Sequence, residues 1–200
     1  MTRSKAEEAL ELIRRMGVAR PRDLAAHGIR RDCLGTLVRE GLVDRVGRGL
    51  YIPADTEVTE HHSLAEASKR VPHGVVCLLS ALSYHEIGTQ NPYQVWMAIG
   101  RTARMPKTDG VAVRIFRFSG PALEHGVEEH EIEGVIVRVY SSAKTVADCF
   151  KYRNKIGLDV ALEALRDCWR ARKATMNELW EAAEICRVAK VMRPYLESLV

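Results

Sequence analysis

Ser80, Ser83, His85 and Glu86 stand close together, with Lys144 and Asp148 further along the chain, so nucleophilic or acid–base catalysis is the first chemistry to consider. A serine nucleophile needs a base within hydrogen-bonding reach. Ser80 and His85 are five residues apart in a helix-patterned run, which turns them to different faces, and Ser83 and His85 are placed worse. No G-x-S-x-G, no G-x-x-x-x-G-K-[ST] and no Gly-rich turn between strand and helix occurs. Lys144 and Asp148 have the i, i+4 spacing of a helical surface ion pair, worth roughly 0.2–0.5 kcal/mol. Cys33, Cys77, Cys149, Cys168 and Cys186 are odd in number and widely separated, lack a C-x-x-C pair, and read as reduced core residues. The histidines, His27, His61, His62, His73, His85, His125 and His130, include no i, i+4 helical pair for a metal. The expectation is a protein without catalytic residues, metal or cofactor.

The chemistry that remains is phosphate recognition by clustered cations. Residues 1–52 hold 11 Lys/Arg against 7 Asp/Glu, whereas residues 53–200 hold 19 of each, so the whole formal charge of +4 lies in the first quarter of the chain. A basic footprint confined to one small module is what duplex DNA requires. The order from Pro21 to Ile52 predicts a helix, a tight turn, a second helix and a Gly-tipped hairpin, which is a winged helix-turn-helix. Pro21 suits a first helical turn and Gly28 suits a left-handed helix end. Within Arg30 to Glu40, Leu34, Leu37 and Val38 recur at i, i+3, i+4 and predict one buried stripe. Asp32, Gly35, Thr36 and Arg39 then lie opposite, with Arg30 and Arg31 at the N-terminal end, facing a major groove.

The β-prone runs Leu42 to Val46 and Leu50 to Ile52 flank Gly47-Arg48-Gly49, a turn whose glycines permit positive φ. Arg48 is placed at the wing tip, near a phosphate or a minor groove, with Arg45 on the strand leading to it. Arg14 is a further candidate. Asp32 and Glu40 flank the reading face, and +4 confers little non-specific affinity on one module. Dimeric or cooperative binding to an inverted repeat is therefore expected. Gly35 costs ~1 kcal/mol relative to Ala inside a helix. Either it lets the backbone approach the groove, or this helix reads DNA weakly.

At 46% hydrophobic and 28% charged, the composition is that of a globular protein with a real core. No apolar run reaches membrane-spanning length, and the N-terminal residues lack an apolar signal region, so a cytoplasmic location is expected. The polar stretch from Pro53 to His62 separates a DNA-binding domain, 1–53, from a second domain, 63–200. Ser63-Leu-Ala-Glu66 has the pattern of a capping box opening a helix that ends before Pro72. Val75 to Ile87 is apolar nearly all round and predicts a buried helix. Strands are predicted over Tyr93–Ile99, Val111–Phe118, Val127–Ile132 and Val135–Tyr140, with Gly134 in a turn. The basic loop Arg101 to Lys107 joins two of them. Helices follow from Ser142: Ala143–Tyr152, an amphipathic segment carrying Leu158, Leu162, Leu165 and Trp169, a helix opened by the Thr175/Glu178 capping box, and a last one with Val191, Tyr195, Leu196 and Leu199. The fold class is α+β, a winged helix followed by a mixed domain with a small sheet and a C-terminal helical cluster.

Several motifs in order carry a resemblance to a known family. Arg45-Val-Gly-Arg-Gly-Leu-Tyr51 is followed by Leu79-Ser-Ala-Leu82, Trp96 on a strand, Val137-Arg-Val-Tyr-Ser141, Lys144-Thr-Val-Ala-Asp-Cys-Phe150 and Asp159-Val-Ala-Leu-Glu-Ala-Leu165. Together they resemble the AbiEi family, the antitoxins and autorepressors of type IV toxin–antitoxin systems, also known from abortive phage infection. The resemblance implies an N-terminal domain that represses its own operon at inverted repeats. It also implies a C-terminal domain that opposes a nucleotidyltransferase-like toxin without a stable complex. Arg101, Arg104 and Lys107, or Arg138, Lys144, Lys151 and Arg153, are the basic groups from which an antitoxin surface would be built. The alternatives are a C-terminal domain that binds or processes a nucleotide, and a winged-helix regulator unrelated to a toxin.

Overall fold

The computed structural model describes residues 5–56, 59–106, 108 and 111–199, which form two compact units. The first comprises Met1–Pro72 with Pro106–Val111 and His130–Val137; the second comprises the remainder.

Helix α1 (Lys5–Met16), not anticipated from the sequence, opens the first unit and buries Ala9, Leu12 and Ile13. These pack with Leu24 of α2 (Pro21–Ala25), Leu34 and Leu37 of α3 (Asp32–Arg39), and Val43 of β1 (Val43–Gly47). Strand β2 (Leu50–Pro53) pairs antiparallel with β1. Ala19 adds a one-residue bridge to Tyr51, donating to its carbonyl at 2.9 Å and accepting from its N–H at 3.0 Å. Pro21 begins α2 as expected, while the N–H of Arg20 donates to the Asp23 carboxylate at 3.0 Å.

Helix α3 is shorter than its apolar pattern suggested, and Val38 and Leu42 are exposed instead of buried. Gly41, at φ +68°, stops the helix: its N–H donates to Val38 O and the Leu42 N–H donates to Leu37 O, the paired bonds of a Schellman cap. That reversal carries Val43, rather than Leu42, into the core. The hairpin turn is also tighter than expected. Gly47 and Leu50 are register partners, Arg48 and Gly49 form the tip, and of the two glycines only Gly49 has positive φ. Gly47 is needed for space, because a Cβ there would lie 2.6 Å from Glu66 Oε1.

Ser63 does not cap the next helix, α4 (His62–Arg70), which starts two residues earlier than that cap implies, with His61 at its N-cap and no side-chain cap. A tertiary contact overrides the local pattern. Glu133 accepts from Thr59 N–H at 2.8 Å and Thr59 Oγ1 at 2.9 Å through one oxygen, and meets His62 Nδ1 at 2.6 Å through the other. Burial pushes the Glu133 carboxyl up, but these bonds outweigh it and hold the group below the usual carboxylate range. Glu66 is buried, and its Oε1 has no hydrogen-bond partner among the described residues.

The remaining five strands form a sheet of order β5-β4-β3-β7-β6. Val75 and Val76, expected to begin a long helix, form its central strand β3; only Leu78–Tyr84 is helical, as α5. Two fully buried valines fit a strand flanked on both edges as well as they fit a helix, and an apolar run alone does not distinguish the two. Strand β3 pairs antiparallel with β4 (Val95–Gly100) and parallel with β7 (Val135–Tyr140); β5 (Val113–Phe118) runs parallel to β4, and β6 (Val127–Ile132) lies beside β7. Glu133 and Gly134, both at positive φ, make the β6–β7 turn. A short helix α6 (Pro121–Glu124) precedes β6.

The helices α7 (Ser142–Lys151), α8 (Arg153–Ile156), α9 (Leu158–Arg170), α10 (Met176–Ile185) and α11 (Ala189–Glu197) complete the second unit. The Thr175/Glu178 capping box forms as the sequence predicts. In α9 the innermost residues are Val160, Ala161, Ala164, Leu165 and Cys168, while Leu158 is exposed and Leu162 and Trp169 only border the core. Small residues face inward there because α9 packs closely on α7.

Helix α7 is the centre of this core. Lys144 and Asp148 do not form the expected surface pair: their side chains are 0% and 3% exposed, with Nζ and Oδ2 2.6 Å apart. The Lys144 ammonium lies over the rings of Tyr140 at 4.1 Å and Phe118 at 4.9 Å, and Cys186 donates its thiol to Asp148 Oδ1 at 3.3 Å. Burial pushes the Asp148 carboxyl above its ordinary value, and Lys144 offsets only part of the effect. Removing one member of such a pair strands a buried charge. Lys144→Met and Asp148→Leu should each destabilise the protein by about 3–5 kcal/mol in denaturant unfolding. The double variant Lys144→Met/Asp148→Leu should recover much of that loss; a double variant as unstable as the sum of the singles would show that the two charges are not coupled.

Candidate nucleic-acid interface

The cations of the first unit are placed by short, locally specified elements. Asp32, Gly35 and Arg39 follow one another at i, i+3 and i+7 along α3, so they share the face opposite Leu34 and Leu37. All three are exposed, as are Arg30 and Arg31 just before the helix, whereas Thr36 is half-buried and donates its hydroxyl back to Asp32 O at 3.5 Å. Arg45 and Arg48 are exposed on the hairpin, and Arg45 Nε donates to Gly47 O at 3.3 Å.

Electrostatics grade these side chains. Arg30 and Asp32 pair at 2.8 Å with both side chains largely in water, an interaction worth about 0–1 kcal/mol that a phosphate could displace. Arg14 is paired with Asp55 at 2.9 Å in a similar exposed setting. Arg31 and Arg39 have no ion-pair partner among the described residues. Their charge is therefore fully available to an external anion. Arg20, by contrast, is spent internally: its guanidinium contacts both Asp23 oxygens and donates to Lys69 O.

The second group of sequence-selected cations does not form one surface. Arg101 and Arg104 are exposed in the loop after β4, and Lys107 lies outside the described residues. Arg138 is half-buried on β7, and Lys144 is removed from solvent altogether. The i, i+4 pattern that suggested a surface pair carried no information about which side of α7 it occupied. Arg153 is half-buried and donates to Phe150 O at 2.9 Å, ending α7. Lys151 is exposed, and it lines a cavity with two cations the sequence reading passed over, Arg117 and Arg187. Alternation along β5, with Phe116 and Phe118 buried and Arg117 exposed, was the available signal for the first of them.

Ser80 and His85, the pair that the sequence reading set aside, are both engaged with backbone. Ser80 is buried and fixed to backbone, accepting from Trp96 N–H at 2.9 Å and donating to Gln94 O at 3.3 Å. His85 Nε2 lies 2.7 Å from Tyr140 O. Both side chains brace the sheet. The five cysteines are free thiols, four of them buried, and burial pushes Cys168 up to about 11 and Cys186 up to about 12, far from a reactive thiolate. No helix among the described residues is long and apolar enough to cross a membrane.

Residues 7–54 match a family model described as a transcriptional regulator, AbiEi antitoxin. Over that segment the chain is similar to the AbiEi antitoxin family, in line with the sequence resemblance. The fold is similar to the crystal structure of the RV2827C protein from Mycobacterium tuberculosis, with a TM-score of 0.56 and 13% identity over 92% of this chain and 72% of that one. No curated protein sequence matches the chain.

Gly35 separates two roles of α3. A Cβ added there meets nothing within 4 Å, so Gly35→Ala should stabilise the folded protein by about 0.5–1 kcal/mol through helix propensity. If this face enters a groove, the same methyl should weaken binding to DNA. Thermal unfolding and a DNA titration of one variant separate the two, and unchanged DNA affinity would remove Gly35 from the contact surface.

Proposed function

We propose that the protein is a sequence-specific DNA-binding repressor and antitoxin, with residues 1–53 acting as a winged helix and 63–200 as the antitoxin domain. The observation that carries this reading is the set of exposed arginines, Arg30, Arg31, Arg39, Arg45 and Arg48, displayed on α3 and the adjoining hairpin. The family match falls over the same segment. Helix α3 enters the major groove with Asp32, Gly35, Thr36 and Arg39 towards the bases, while Arg48 follows the backbone or the minor groove. With a net charge of only +4, one copy makes few phosphate contacts, so two copies occupy an inverted-repeat operator. Protection of both half-sites in one cooperative step is the expected footprint.

Arg39→Ala and Arg48→Ala test the docking directly. Each should weaken operator binding and reduce the dependence of affinity on salt by about one counterion unit per lost phosphate contact. Parental affinity at every salt concentration in both variants would mean that another face binds.

The partner in this reading is a nucleotidyltransferase-like toxin of a type IV system, opposed without a stable complex and in a phage-defence setting. Residues 53–200 are neutral in sum, but locally clustered cations still attract a phosphate-bearing partner. Because Lys144 is buried, reversing its charge would report unfolding, and the exposed Arg104 and Lys151 are the informative positions. Arg104→Glu/Lys151→Glu should lower rescue of cells expressing the cognate toxin while reporter repression persists. Rescue that survives this change but fails in Arg39→Ala/Arg48→Ala would assign antitoxicity to DNA binding.

A further inference from the structure

Arg117, Lys151 and Arg187 converge on a cavity of about 600 Å³ that lies wholly within the second unit. It is lined by the turn from Arg117 to Ala122, the end of α7 and the end of α10. That volume falls within the range of small-molecule and cofactor sites, about 300–1,000 Å³.

The polar lining is asymmetric. Asp148 is already matched by the Lys144 ammonium at 2.6 Å and by the Cys186 thiol, so it adds no uncompensated negative charge. The exposed rim then carries Arg117, Lys151 and Arg187 against the single carboxylate of Glu184. Lys151 and Arg187 have no ion-pair partner among the described residues. Arg117 is preorganised. Its Nη1 donates to the carbonyls of Gly100 at 3.1 Å, Arg101 at 2.8 Å and Ala103 at 2.8 Å, which anchors the guanidinium and leaves the Nε and Nη2 donors for an oxyanion. A guanidinium fork held in this way is suited to bidentate contact with phosphate.

The other part of the lining is aromatic. Phe118 and Tyr152 are stacked, with ring centroids 5.6 Å apart and planes 14° apart, and both border the cavity. Phe118 is fixed on its far side by Tyr140, at 5.7 Å and 16°. Inorganic phosphate would leave this wall unused, and a purely apolar ligand would leave three cations unmatched. A ligand that uses both has a multiply charged anionic end and a flat, partly apolar body.

We propose that this cavity binds a mononucleotide, with its phosphates on Arg117, Lys151 and Arg187 and its base and ribose against the half-buried Tyr152, which the buried Phe118 backs. The site is independent of the DNA-binding reading, since it shares no residue with the first unit. The same chemistry can arrive as a free nucleotide or as the terminal nucleotide of an RNA strand.

The test is equilibrium binding to the full-length protein, using the four ribonucleoside triphosphates, their monophosphates, inorganic phosphate and a short single-stranded RNA as probes. Saturable binding of at least one nucleotide is expected, weakened about tenfold or more by Lys151→Glu/Arg187→Glu, both exposed positions at which folding is preserved. Tyr152→Leu should weaken the nucleotide but leave inorganic phosphate unchanged, and Arg48→Ala should alter neither. RNA that competes with the free nucleotide at the same variants' expense identifies a strand end as a second source. Absence of saturable nucleotide binding, or binding insensitive to the double reversal, overturns the proposal. So does RNA binding without mononucleotide binding, or inorganic phosphate binding as tightly as any nucleotide. An unchanged unfolding midpoint for Lys151→Glu/Arg187→Glu keeps the comparison valid. If Tyr152→Leu alone proves unstable, the double reversal decides the outcome.

Discussion

The architecture of the second unit depends on one buried charge pair. Lys144 and Asp148 sit on the innermost face of α7, with the ammonium between a carboxylate and the faces of two aromatic rings. Taking two ions out of water is costly, and only close geometry with additional hydrogen-bonding partners returns most of that cost. The surroundings supply it. Phe118 comes from the edge strand β5, Tyr140 from the interior strand β7 and Cys186 from just after α10, so one ion pair ties two strands of the sheet to the helical cluster. Gly126 belongs to the same constraint, since a Cβ there would lie 2.9 Å from Lys144 Cβ.

The first unit follows a different logic, in which the core is small and the charge stays outside. Ala9, Leu12, Ile13, Leu24, Leu34, Leu37 and Val43 are enough to hold three short helices and a hairpin. Arg31 and Arg39 have no ion-pair partner among the described residues, and Arg30 and Arg45 make only a weak exposed contact with Asp32 and a backbone contact, respectively. Arg20 and Glu133 perform the internal electrostatic work, each satisfied by several neighbours. This separation of structural from exposed charge is what a phosphate-binding surface requires, because cations engaged in strong ion pairs release few counterions on binding.

The match to the AbiEi antitoxin model covers residues 7–54, and the similarity to the M. tuberculosis protein extends over most of the chain at low identity. The two findings act at different levels. The first concerns the N-terminal segment, while the second concerns backbone arrangement, which is retained when most side chains differ. The cavity beside α7 lies outside residues 7–54, and its chemistry is specified by side chains of this chain: the anchored Arg117, the exposed Lys151 and Arg187, and the Phe118–Tyr152 stack.

Sequence alone determined the elements whose signals are local. Pro21 and Gly28 bracket α2, the Thr175/Glu178 capping box opens α10, and the alternating runs around Gly134 make β6 and β7, because each depends on backbone preferences within a few residues. The confinement of positive charge to residues 1–52 is likewise a property of composition. Tertiary structure decided what periodicity leaves open. An apolar run at Val75 became a central strand because partners lay on both sides of it, and Ser63 lost its capping role because Glu133, distant in sequence, fixed Thr59 and His62. The i, i+4 spacing of Lys144 and Asp148 is the same on a buried or an exposed helix face. Only the packing of residues far apart in the chain could turn that pair inward and bring Arg117, Lys151 and Arg187 to one cavity.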